Sequence, residues 1–386
     1  MIKKPSPLAV TLIILAVIVA ALVSLSSFYI DWLWFESVGF TSVWSTVLLT
    51  KVALFAVAGL VTSVVITLNV YLAFRRRPFD VSMAIASDNL ERYRATIDPI
   101  RKLVFAGIAI VLFYFGGTSG VQLWSSWLLF KNSTDFGVTD PQFGLDISFF
   151  AFRLPFLQTM IGWAISTLIL ATIASVGVHY LYGGIRPQSV GDRTSVAARV
   201  QLSVLLGLIV LVKAVAYWFD RYALALKESR LITGLTYTDV NATLPAKSIL
   251  AAIAIICSLL FFANIVRKSW LLPAAGSALL VGSSVLIAGV YPGAVQQFQV
   301  KPSESSKEAP FIQLNIDATR EAYGLSDVDV RDYQATLATN SGQLASDAAT
   351  IANIRLMDPN VLSATFRQLQ QIKPYYAFPE SLDIDR

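Results

Sequence analysis

Long apolar runs alternate with short clusters of Lys and Arg along the first three quarters of the chain. Runs of 18 or more apolar residues recur, and each is long enough to cross the roughly 30 Å hydrocarbon core of a bilayer as a helix. Seven such helices are predicted, at about 8–30, 48–74, 103–123, 155–181, 200–219, 248–266 and 270–291. The first follows Lys3 and Lys4. It is too long for a signal-peptide core and no small-x-small cleavage site follows it, so it reads as a retained anchor. After residue 296 the pattern changes. The stretch 297–310 is rich in Lys, Pro, Ser and Glu without apolar periodicity and reads as a linker. A helix is expected over 311–323, closed by Gly324. Asp358-Pro359 then gives an N-cap followed by Pro at the first helical position. Leu362, Phe366, Leu369 and Ile372 follow at helical spacing, up to Pro374. "YYAF" and "LDI" look strand-like.

The expected fold is an all-α polytopic membrane bundle of about seven transmembrane helices, followed by the start of an α+β extracytoplasmic domain. The expected divisions are 1–296 for the bundle, 297–310 for the linker and 311–386 for the outer domain. The last segment offers little to complete a core of its own, so that domain is expected to continue past residue 386.

Charge fixes the orientation. Only 14% of the 386 residues are charged against 55% hydrophobic, and the mean hydropathy is +0.62. A soluble domain carries about 25% charge. Fourteen Lys and Arg fall in one alternate set of connections, including Arg75-Arg76-Arg77, Arg101-Lys102 and Arg267-Lys268; six fall in the other. The positive-inside rule therefore places the N-terminus in the cytoplasm, with everything after Tyr291 outside the plasma membrane. Trp32, Trp34, Trp124, Trp127 and Trp218 fall at the expected outer ends, as an aromatic belt would. The net charge of +5 resides in the cytoplasmic loops, since the part from Gln297 onward has 12 acidic and 8 basic residues. The expected partners are the lipid bilayer, anionic inner-leaflet lipid near Arg75, Arg76 and Arg77, and an envelope protein; nucleic acid is not among them.

Catalytic chemistry is thin. Walker A, His-Glu-x-x-His and dinucleotide signatures are missing, so no catalytic, cofactor-binding or metal residue is assigned and no cofactor is expected. The only histidine, His179, reads as interfacial, beside Tyr180 and Tyr182. The lone Cys257 allows no internal disulfide. Intramembrane charge marks transport paths, and here the candidates are Lys51 and Lys213. Lys51 is near the start of its span and can snorkel. Lys213 shares a helical face with Asp220, and a snorkelling lysine near Tyr217 and Trp218 is the blander reading. Gly116-Gly117 and Pro273 are candidate helix breaks. Gly59 with Ser63, and Ala274, Ala278 and Gly282, are small-residue ladders that permit close helix packing. Two outer loops, 131–154 and 234–247, mix Asp and Pro with aromatic residues and are expected to pack together. Asp140, Asp146 and Asp239 could form a cation or partner site where they meet, or simply cap turns and helices.

The segments "DWLWFESVGF", "FGVTDPQFGLDISFFAFRLPF", "GLTYTDVNATLPAK", "EAYGL" and "TIANIRLMDPNVLSATFRQLQQIKPYYAF" together resemble the large bacterial membrane proteins of uncharacterised protein family 0182. Met357 is a minor departure from that pattern. The resemblance implies about seven N-terminal spans and a large extracytoplasmic region, and it carries over no activity. The expected role is a non-enzymatic scaffold or interaction protein that presents an extracytoplasmic domain for cell-envelope assembly or maintenance. The alternative is a transporter or channel subunit.

Overall fold

The computed structural model describes residues 7–78, 88–187, 193–229, 232–332 and, beyond these, 354, 358–370, 372–373, 375 and 377–380. It falls into two units, Met1–Ala322 and Tyr323–Arg386.

The first unit is helical. Its elements are α1 (Pro7–Ser37), α2 (Thr41–Arg75), α3 (Asp88–Ile97), α4 (Arg101–Val121), α5 (Trp124–Lys131), α6 (Leu154–Leu181), α7 (Val196–Phe219), α8 (Leu244–Arg267), α9 (Leu271–Ser283), α10 (Tyr291–Val295) and α11 (Glu304–Ala322). Among the described residues, six helical stretches are long and apolar enough to cross a membrane: Thr41–Arg75, Tyr93–Val121, Phe149–Leu181, Val196–Phe219, Asp239–Arg267 and Leu271–Ala322. They match the second to seventh expected spans. The first expected span falls on α1, which is not among the six and several of whose side chains lie outside the described set.

Helices pack in the order α4–α2–α6–α7–α8–α9. The α2/α4 seam is built on missing side chains. A Cβ on Gly120 would lie 2.4 Å from the Ala58 Cβ, and one on Gly116 would lie 2.6 Å from the Thr62 Cβ. Gly116-Gly117 therefore does not break α4, as its sequence suggested; the helix runs through it and uses it for close approach. Ser63 of the expected ladder donates to the Ala109 carbonyl at 2.8 Å. In α9 the other expected ladder is displaced. Pro273, Gly276 and Ser283 are the buried positions, while Ala274 and Ala278 are exposed.

Polar side chains tie the bundle where apolar packing alone would not fix rotation. His179 is buried, not interfacial. Its Nε2 lies 3.0 Å from Gln201 Oε1. The Gln201 amide donates to the Asn69 carbonyl at 2.8 Å, so this knot joins α2, α6 and α7. Asn264 donates to Ser203 at 2.7 Å and Ser258 to the Gly207 carbonyl at 2.9 Å, joining α7 to α8.

The expected linker 297–310 is helical. α9 continues through a π-turn (Ser284–Val290), α10, a second π-turn (Gln296–Val300) and a 3-10 turn (Lys301–Ser303) into α11. Proline would normally interrupt such a run, because it lacks an N–H and its ring clashes with the preceding turn. At Pro292 and Pro302 the interruption is absorbed by one extra residue, while Pro310 lies inside α11 without one. Tyr291 N–H bonds back to Leu286 O, and Lys301 N–H to Gln296 O, in the widened five-residue pattern. Pro292 and Pro302 come immediately after. The two other π-turns, Phe149–Arg153 and Asp239–Thr243, likewise end two residues before a proline, Pro155 and Pro245. The run closes as expected: Gly324 has φ +65, the left-handed conformation that terminates helices.

In the second unit the expected helix is α12 (Pro359–Leu369), with Val361 N–H bonded to Asp358 O at 3.1 Å. Phe366 stacks on Phe378 with ring centroids 5.5 Å apart. The described residues contain isolated bridges but no extended strand. The strand expected at "LDI" lies outside the described residues.

Candidate functional site

The loops 131–154 and 234–247 share one local design. Each begins with Gly-Leu and ends with Leu-Pro at the same spacing, Gly144-Leu145 to Leu154-Pro155 and Gly234-Leu235 to Leu244-Pro245. Both glycines have positive φ, +64 and +115. In both, a polar residue two places after the glycine starts the helix. Asp146 Oδ1 accepts from Ser148 N–H at 2.8 Å, and Thr236 Oγ1 from Asp239 N–H at 3.3 Å. A π-turn and Leu-Pro follow in each, and an antiparallel bridge braces each loop, Thr139 with Asp146 and Glu228 with Thr233. The repeat was present in the sequence as matching Gly-Leu and Leu-Pro pairs. Its contents hide it, because the first copy is filled with Phe and the second with Thr, Asp and Asn.

The two loops meet. Tyr222, between α7 and the second loop, packs against Phe143 and Phe149 of the first, with centroids 5.1 and 5.4 Å apart. Asp140 and Gln142 line a cavity of about 250 Å³ together with Gly234, Leu235 and, from α11, Phe311 and Leu314.

The five acidic and basic candidates do not converge on one point. Asp140 Oδ1 accepts from Gln142 N–H at 3.0 Å and Phe143 N–H at 2.7 Å, the geometry of a turn cap. Asp146 accepts from Phe136 N–H at 3.0 Å and Gly137 N–H at 2.9 Å besides Ser148. The Ser148 hydroxyl, which also lies 3.3 Å from Asp135 Oδ1, and these backbone donors hold the Asp146 carboxyl down at about 2. Asp239 is buried and paired, with Lys227 Nζ 2.9 and 3.0 Å from its two oxygens. Asp220 faces Lys247 at 3.5 Å rather than Lys213. The Lys213 ammonium sits over the Tyr217 ring, 4.7 Å from its centroid. Among the described residues no three His, Cys, Asp or Glu side chains are grouped to hold a metal ion.

What the second loop does hold is the base of α11. Glu308 is only 5% exposed and accepts from Tyr237 N–H at 3.0 Å. Thr238 donates to Gln296, and the Lys307 ammonium lies over the Tyr237 ring, 4.8 Å from its centroid. Between loop and helix lies a polar cleft of about 520 Å³, bordered by Lys227, Asp239, Gln296, Lys301, Glu304 and Glu308. Glu308 was missed in the sequence because it falls where a linker was expected, and Gln296 because it is the last residue of the expected bundle.

The model of an uncharacterised protein family, UPF0182, matches residues 8–386. The chain belongs to that family. UPF0182 relatives include proteins of Streptomyces coelicolor (46% identical, covering 100% of this chain and 39% of the relative) and Nocardioides sp. (44%, 100% and 38%). A third, from Rhodococcus opacus, is 46% identical over 97% of this chain and 39% of its own. The chain thus spans about two fifths of the length of these UPF0182 relatives. No solved structure matches.

Proposed function

We propose that the chain is the membrane-embedded base of a cell-envelope scaffold, carrying an extracytoplasmic region on a helical stalk and binding an envelope protein there. One observation carries this reading: the helical run Leu271–Ala322 of 52 residues, clamped by Tyr237 and Thr238 at its middle. At 1.5 Å per residue the run is roughly 78 Å long, against about 30 Å of hydrocarbon. A base that only anchored a domain needs no clamp, whereas one that sets its position does. The charge asymmetry of the loops supports a plasma-membrane protein with its N-terminus in the cytoplasm and the stalk outside. The role so read is positional and not enzymatic.

Topology is tested by labelling. With Cys257→Ala as background, Ser305→Cys reacts with a membrane-impermeant thiol reagent in intact cells and Ser87→Cys does not; the reverse pattern overturns the orientation. The scaffold role is tested by inserting a flexible Gly-Ser segment between Ser303 and Glu304. Envelope integrity should fail as it does on deletion of the gene, although the protein still inserts in the membrane.

A transporter reading has Lys213 in its favour, a half-buried cation inside a span with no ion pair among the described residues. That reading requires Lys213→Gln to abolish function and the Gly-Ser insertion to spare it. The scaffold reading requires the opposite of both.

A further inference from the structure

At the end of the bundle away from the clamp, Arg75, Arg77, Arg101 and Lys102 surround a cavity of about 390 Å³ between the end of α2 and the start of α4. Among the described residues no carboxylate lines it. None of these four cations makes an ion pair among the described residues. Asp98, three residues before Arg101, accepts from the Tyr182 hydroxyl at 3.1 Å. One of the cations is held in place: the Arg77 guanidinium lies over the Phe74 ring at 4.0 Å and the Tyr182 ring at 5.5 Å. Phe74 in turn packs edge-on against Phe105, with centroids 5.6 Å apart. The result is a positive rim on an aromatic floor.

We propose that this cavity binds the phosphate of an anionic glycerophospholipid. Like charges gathered around one space repel unless an anion enters it, and guanidinium groups match a phosphate with two parallel hydrogen bonds. The volume is that of a small-ligand pocket. A lipid is favoured over a soluble phosphate by what lies beside the rim. Both helices run directly from it into the apolar spans, and Leu68 and Leu103 there are 51% and 76% exposed. A headgroup in the cavity would leave its acyl chains along those side chains. Basic pockets between spans take lipid headgroups in this way.

The test uses the whole chain in nanodiscs, with binding read by native mass spectrometry after release. Phosphatidylglycerol should be retained about tenfold over phosphatidylcholine, and Arg77→Gln or Arg101→Gln should each lower that preference about fivefold. Arg101→Lys keeps the charge without the fork and should fall between. Lys131→Gln, an equal charge change on an exposed side chain of α5, should leave the preference unchanged. Equal retention of the two lipids, or equal loss in Lys131→Gln, overturns the site. If glycerol phosphate without chains displaces the lipid at equal concentration, the ligand is a free phosphate and the lipid assignment is overturned.

Discussion

Glu308, on the helix that leaves the bundle, accepts a hydrogen bond from the backbone N–H of Tyr237 across 3.0 Å, a contact between residues 71 apart in sequence. Among the described residues it makes no ion pair. The carboxylate therefore serves as the acceptor that seats one segment on the other.

Glu308→Gln keeps an acceptor and should preserve the joint. Glu308→Ala orphans the Tyr237 amide and should cost about 1–3 kcal/mol locally. Hydrogen exchange at 234–243 is the measurement: Ala should raise it well above wild type and Gln should not. Equal exchange in all three proteins would show the clamp to be dispensable.

Lys227 and Asp239 make a second expectation. The carboxylate is 1% exposed, while the Lys227 side chain is 47% exposed. Lys227→Met leaves a buried charge unpaired and should destabilise the loop by about 2–3 kcal/mol, the lower side of such losses because the lysine end is in water. Adding Asp239→Asn to it should recover most of the loss, because the charge is then gone. Thermal unfolding in detergent of the two variants decides this, and a double variant no better than the single would refute it.

Asp146 sets a pH window. Its carboxyl titrates at about 2 in the folded loop, below the ordinary value of 3.8. The stabilisation is therefore fully present above 3.8 and is lost as pH falls through about 2. Pepsin, active across this range, should leave the Phe-rich segment 136–152 intact at pH 4 and cut it near pH 2. Asp146→Asn should be cut at both.

Gly120 and Gly107 lie on the same helix with opposite surroundings. A Cβ on Gly120 would fall 2.7 Å from the Leu54 carbonyl oxygen, whereas one on Gly107 would meet nothing within 4 Å. Gly120→Ala should destabilise the bundle by about 1–3 kcal/mol. Gly107→Ala should be neutral or stabilising. The order of their melting temperatures is the check.

Apolar runs made the bundle readable, because span length and residue class leave few alternatives. Which face of each helix packs was less readable. Gly59 and Ser63 were found by spacing, but Ala274 and Ala278 have the same spacing and are exposed. His179 looked interfacial because its partner is distant in the chain: Gln201 lies in α7 and itself donates to Asn69 in α2. The linker was misread for a local reason. Lys, Ser, Glu and Pro suit a loop, yet prolines at 292 and 302 are accommodated once the turn before each widens. The acidic residues of these two loops were visible as candidates, but composition does not distinguish an aspartate that caps a turn from one that meets a lysine in a cleft.

The uninterrupted path from Leu271 to Ala322 also has a mechanical meaning. A soft tether would let whatever is attached beyond it drift, and a pull on that load would be spent in straightening the tether. Along a hydrogen-bonded rod the same pull or twist travels back to Ser284, whose hydroxyl touches Tyr217 of α7 at 3.2 Å. On the proposed stalk reading, displacement of the load is felt within the bundle, with Tyr237 and Thr238 as the collar on which the rod bears.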